Sequence, residues 1–175
     1  MNDYETIINF IAGSRQDYKC FDLLKELLKT NSSFLSCIEK GISEGQITGF
    51  SDKLWEQIDK QNIRDYYKNF ENYFANGFNL GRCTYTSRQL SFSFQNCYIC
   101  GGVLDLLKNT TNSEDGSHTW IEDYTFIYDT TLMLKINHKY KEQLGYKTEN
   151  RINPNLDNIY AYEKEFTNDT SLRRH

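Results

Sequence analysis

The sequence predicts an α+β protein in which a helical N-terminal half packs on an antiparallel β-sheet. Apolar residues recur at helical spacing through the first 80 of 175 residues, whereas β-branched and aromatic residues crowd into short runs after Gly81. The only proline is Pro154 and no internal repeat divides the chain, so a single domain over residues 1–175 is expected. It comprises a helical part (1–80), a mixed core (81–140) and a C-terminal extension (141–175). A chain of this length buries a core without a disulfide or metal staple.

The elements follow in order. Tyr4, Ile7, Ile8 and Ile11 share one helical face, and Tyr18, Phe21, Leu24, Leu27 and Leu28 repeat that spacing after a start signal at Ser14. A short helix over residues 33–40 is expected to stop at Gly41, and Ser51 to cap a helix carrying Leu54, Trp55 and Ile58. Ile63, Tyr66, Tyr67, Phe70, Tyr73 and Phe74 form an aromatic stripe ending at Gly77, which reads as core packing and not as a cofactor site. Helices are thus expected to about residue 95. Strands follow over residues 97–107 and 118–136, with Gly101-Gly102 marking a bulge or a close backbone approach. The polar KNTTNSEDGS between them reads as a turn or loop, and the final TNDTSLRRH as frayed.

Charge narrows the function. With 20 basic against 24 acidic residues the net charge is -4, which leaves no electrostatic footprint for nucleic acid or an anionic membrane. No stretch approaches the roughly 20 apolar residues of a membrane span, and MNDYETIINFIAGS lacks the basic region of a secretion signal. A cytoplasmic protein with five reduced cysteines is expected.

The stretch GSHTWIEDYTFIYDTT, residues 116–131, carries the chemistry. A two-residue turn at Asp123-Tyr124 pairs Glu122 with Thr125 and sets His118 directly opposite Asp129, on one face of the hairpin. Opposed Cβ atoms stand about 4.5–5.5 Å apart, close enough for a carboxylate to hold an imidazole. Asp123 is the rival acid, but it sits where a turn takes a polar residue. An imidazole oriented in this way serves a nucleophile. Cys83 is the candidate, since it follows Gly81-Arg82 and opens TYTSRQLSF, a helix start whose amides favour a thiolate. Cys20 and Cys37 read as packing residues in helices. Cys97 and Cys100 form a lone CxxC whose odd spacing sends them to opposite faces of a strand, and no metal site or cofactor is expected. His138 reads as solvated in a surface helix, and His175 is terminal.

This order of parts resembles the transglutaminase-like branch of the papain-like cysteine peptidases, which includes bacterial leader peptidases of lasso-peptide maturation. There a cysteine heads a helix, and a histidine in a His-x-Trp-x-Glu strand precedes an aspartate in a Tyr-x-Asp-x-Thr or Val-x-Asp-x-Thr strand. The corresponding residues are Cys83 with Gly81, then His118, Trp120 and Glu122, then Asp129 and Thr131, with Tyr128 directly before the aspartate, all within residues 81–136. Thr84 replaces the aromatic residue often found after the cysteine, and Thr130 the proline often found after the aspartate. The resemblance implies Cys83 as nucleophile, His118 as general base and then acid, and Asp129 as orienting group, in acyl transfer from a peptide or protein. It also implies an oxyanion site at the Cys83 amide, with Asn79 or Tyr85 as side-chain donor. Trp120 and Glu122 alternate onto the His118 face, Trp120 as a wall beside the imidazole, Glu122 as a substrate contact or, preferably, a solvated residue. Folds of this kind also serve as noncatalytic binding domains, so an interaction or inhibitor protein of phage or mobile-element type, with a protein target, is the alternative.

Overall fold

The computed structural model describes residues 28–60, 83–110 and 113–154. The helix expected over residues 4–11, that over residues 18–28 except its buried Leu28, the aromatic stripe of residues 63–77, Cys20, Asn79, Gly81, Arg82, the terminal region after Pro154 and His175 lie outside them.

Helix α1 (Ser32–Ser43) buries Phe34, Cys37, Ile38 and Gly41, the i, i+3, i+4, i+7 face of an amphipathic helix. It does not stop at Gly41, as the sequence suggested. A Cβ at Gly41 would meet Ile47 Cδ1 at 2.2 Å, so that glycine lets the helix press against strand β1 (Ile47–Gly49). The chain reverses instead at Gly45, whose φ is +70. Strand β1 is itself unexpected in the helical half. It is only three residues long, too short for alternation to register. Helix α2 (Asp52–Lys60) follows, and Ser51 Oγ accepts from Leu54 N at 3.2 Å as the expected cap.

Helix α3 (Cys83–Ser91) leads into strands β2 (Tyr98–Thr110), β3 (Ser113–Glu122), β4 (Phe126–Asp129) and β5 (Leu134–Asn137). A 3₁₀ turn (His138–Tyr140), the short helix α4 (Lys141–Leu144) and strand β6 (Tyr146–Ile152) complete the described chain. The α+β class holds, with a six-stranded sheet in the order β1-β5-β4-β3-β2-β6 and every neighbouring pair antiparallel.

Two strand predictions need correction. KNTTNSEDGS is largely strand, because β2 runs to Thr110 and β3 starts at Ser113. Its polar residues suit an extended hairpin whose ladder is irregular between Val103 and Lys108. The β3–β4 turn also lies one residue later than expected. Asp123 N donates to Phe126 O, and the ladder pairs Glu122 with Ile127 and Ile121 with Tyr128. Asp123 Oδ1 accepts from both Thr125 N and Phe126 N, so its side chain folds the reversal around Tyr124-Thr125. Moving the turn by one residue slides the register by two, so His118 and Asp129 are not directly opposed. A slip of two preserves the face.

The Gly101-Gly102 pair does mark a close approach. A Cβ at Gly102 would fall 1.9 Å from Lys147 O, and the β2–β6 register shifts between the two glycines. The buried core gathers Ile38, Ile47, Leu90, Leu104, Ile121, Ile127, Leu134 and Ile136, with Ile121 and Ile127 on opposite faces of the sheet.

Candidate active site

The face shared by His118, Trp120 and Glu122 is where the functional side chains converge. His118 Nε2 lies 2.8 Å from Asp129 Oδ2, and His118 is also hydrogen-bonded to the Cys83 side chain. With Nε2 engaged by the carboxylate, Nδ1 is the ring nitrogen left for sulfur. Cys83, His118 and Asp129 thus form a continuous chain of contacts, brought from α3, β3 and the end of β4.

Local structure explains the convergence. Helix α3 turns small polar residues inward: Thr84 Oγ1 meets Thr119 Oγ1 at 2.8 Å, and Thr86 Oγ1 meets Thr130 Oγ1 at 2.7 Å. These hydroxyls let the helix approach the sheet closely while satisfying one another. Thr84 and Thr130, the two departures from the resemblance, therefore help seat Cys83 over the strands. Thr84–Thr119 and Cys83–His118 are contacts between successive residues of α3 and β3.

Asp129 is fully buried and its carboxylate is closely surrounded by donors. Oδ1 accepts from the backbone of Thr131 at 2.8 Å and Leu132 at 2.9 Å, and Oδ2 from His118 and from the Tyr146 hydroxyl at 2.6 Å. Burial alone would raise its pKa, but the His118 charge and these hydrogen bonds hold it below the ordinary value. For His118, burial pushes toward the neutral ring. The Asp129 carboxylate and then Cys83 outweigh it and raise the imidazole to about 10. The buried ring is held between the Asp129 carboxylate and the Cys83 sulfur, which both favour its charged form.

Trp120 stands beside the imidazole, ring centroids 5.8 Å apart, as expected of a wall. Its one N–H donates to Glu122 Oε2 at 2.9 Å and is not available to an oxyanion. Glu122 corrects the sequence reading most. It is 2% exposed, not solvated, and binds Lys141 Nζ at 3.0 Å and His138 Nε2 at 2.5 Å. His138 is accordingly bonded to Glu122 and not a free surface residue. Burial works against the Glu122 charge, but hydrogen bonds from Cys100, Trp120 and Lys141 bring its pKa below the usual range. Glu122 is thus fully engaged as an internal anchor, which removes it as a substrate contact in this state. Tyr85 lies on α3 with the Arg88 guanidinium 5.9 Å from its ring centroid.

Cys97 Sγ donates to Ser91 O, whereas Cys100 bonds Glu122. Burial, with Asp123 nearby, pushes Cys97 up to about 11, and burial with Glu122 pushes Cys100 higher still. Both are poor nucleophiles at neutral pH.

Tyr146 escaped the sequence reading. It begins β6, 17 residues beyond Asp129, and the only local signal is a strand-forming aromatic after Gly145. No helix among the described residues is long and apolar enough to cross a membrane. The chain matches no family model, no curated protein and no solved structure.

Proposed function

We propose that the protein is a cysteine-dependent acyl-transfer enzyme, a peptidase or amide hydrolase on a transglutaminase-like scaffold, acting in the cytoplasm on a peptide or protein. The observation that carries this reading is His118 bonded at once to Cys83 and Asp129, inside a shielded site. A charged imidazole beside sulfur is the arrangement that activates a thiol.

The Cys83 thiolate attacks the substrate carbonyl carbon, and the π electrons move to oxygen. Collapse of that tetrahedral adduct expels the amine, which takes its proton from the His118 imidazolium, and leaves a thioester on Cys83. Neutral His118 then removes a proton from water as it attacks the thioester, releasing the acid and restoring the ion pair. Asp129 keeps the ring oriented and compensates its charge throughout.

A second reading, a noncatalytic protein that binds a protein target, draws on one observation. Cys83 is 1% exposed, so a carbonyl reaches the sulfur only when neighbouring atoms part. Alkylation with iodoacetamide at neutral pH distinguishes the two. The enzyme reading expects modification concentrated at Cys83 and suppressed by His118→Ala; equal, slow labelling of all five cysteines would overturn it.

A further inference from the structure

We infer that Tyr146 is a positioning residue of the proposed acyl transfer, donating its hydroxyl to the carboxylate oxygen that holds His118 and so fixing Asp129 and tempering its pull on the imidazolium. The inference rests on the reading of Cys83, His118 and Asp129 given above.

The hydroxyl is delivered by a stiff support. Tyr146 pairs with Leu104 across the β2–β6 ladder, immediately after Gly145, whose φ of +84 caps α4 in the left-handed region. A Cβ on Gly145 would also lie 2.9 Å from the Asp105 side chain, so both the turn and the packing call for glycine. The Tyr146 ring packs edge-on against Trp120 with centroids 5.0 Å apart and lies 6.5 Å from His118. A ring held in this way has little freedom to swing its hydroxyl off Asp129. Burial, then the Asp129 carboxylate, push the phenol pKa well upward, so it remains a donor across the neutral range.

Two donors on one oxygen compete for its charge. Oδ2 receives Tyr146 O–H at 2.6 Å and His118 N–H at 2.8 Å, while Oδ1 is committed to the backbone of Thr131 and Leu132. Among the described residues, the titratable groups that face the ring are Cys83 from α3, Asp129 from β4 and Tyr146 from β6, and Glu122, farther along the His118 strand, acts on Tyr146. Among these titratable groups of the described residues, Tyr146 acts on His118 through Asp129 without adding a formal charge. Removing the hydroxyl concentrates the carboxylate charge on His118, strengthens its hold on the proton and slows transfer to a leaving nitrogen.

The test follows the His118 ring resonances by NMR in the full chain, assigned through their loss in His118→Gln. Tyr146→Phe should raise the His118 midpoint by about one unit. 3-Fluorotyrosine at position 146 keeps ring and hydroxyl while sharpening the donor, and should lower it. Unmoved midpoints in both proteins, or a shift in the same direction in both, would overturn the inference. If Tyr146→Phe does not fold, the fluorotyrosine protein decides alone: a lowered midpoint supports the role and an unmoved one overturns it. Iodoacetamide labelling of the wild type separates the two levels. Labelling of Cys83 that ignores His118 defeats the acyl-transfer reading, whereas His118-dependent labelling with unmoved midpoints defeats only the role of Tyr146.

Discussion

The indole N–H of Trp120 donates to Oε2 of Glu122, two residues further along the same strand and on the same face. The carboxylate also takes the Lys141 ammonium and His138, so one buried charge ties β3 to the 3₁₀ turn and α4 behind the imidazole. Glu122→Ala strands that indole and the Lys141 ammonium. Leaving buried charge unpaired costs about 3–5 kcal/mol, read as a lower urea midpoint at unchanged slope. Glu122→Gln retains an acceptor for Trp120 and should lose less. Equal losses in the two variants would show that the charge, and not the indole bond, dominates.

The His118–Asp129 pair sets a pH window for stability. His118 titrates in the folded protein near 10, above its ordinary 6.5. Its contribution is complete below 6.5 and disappears as pH climbs toward 10. Asp129 is displaced the other way from its ordinary 3.8, so its contribution is complete above that value and is lost in acid. The two describe one interaction and are not added. Stability should therefore plateau between 4.5 and 6.5, because Glu122, lowered from 4.5, also loses its contribution in acid, and fall on the alkaline side, where the raised Cys97 and Cys100 thiols act in the same direction. Denaturant titrations across pH check this, and His118→Gln should flatten the slope just above 6.5.

The site was legible where chemistry is local and periodic. Strand alternation carries His118, Trp120 and Glu122 to one face whatever the exact turn, and a slip of two residues cannot undo it. The direct opposition of His118 and Asp129 was wrong because Asp123, read as a turn position, instead folds the turn with its side chain one residue later. Glu122 looked solvated because its partners, Lys141, His138 and Cys100, come from elements whose placement no spacing encodes. Tyr146 was hidden for the same reason. At Gly41 the glycine serves packing against Ile47, while the terminating role belongs to Gly45, and composition alone does not separate the two.

That contrast extends to substitutions. Gly102→Ala drives a Cβ into Lys147 O, a backbone atom that moves only if β6 does, and β6 carries Tyr146. A loss of about 1–3 kcal/mol is expected, in line with overpacking. Gly45→Ala meets nothing within 4 Å and suffers only the left-handed φ of +70, a strain of about 1–2 kcal/mol for a residue bearing a Cβ. Only Gly102→Ala should also shift the His118 resonances. Thermal melts paired with NMR spectra of both variants check this, and a silent His118 in Gly102→Ala would mean that β6 absorbs the clash away from Tyr146.

Asp129 combines two roles that substitution can separate. Oδ1 ties down the backbone after β4 through the amides of Thr131 and Leu132, whereas Oδ2 faces His118 and Tyr146. Asp129→Ala removes both and leaves His118 buried with Cys83 alone to balance its charge, a loss of about 3–5 kcal/mol. Asp129→Asn keeps an oxygen for the two amides but cannot compensate an imidazolium, so its stability should fall less. The His118 midpoint should drop steeply in either case, because the Asp129 carboxylate is the leading influence raising it against burial. Cys83 alkylation at neutral pH should then slow at least tenfold, about 1.4 kcal/mol of lost assistance. An Asp129→Asn protein that melts like the wild type yet labels Cys83 slowly would assign the carboxylate charge to the thiol; one that labels at the wild-type rate would leave Asp129 with its backbone role alone.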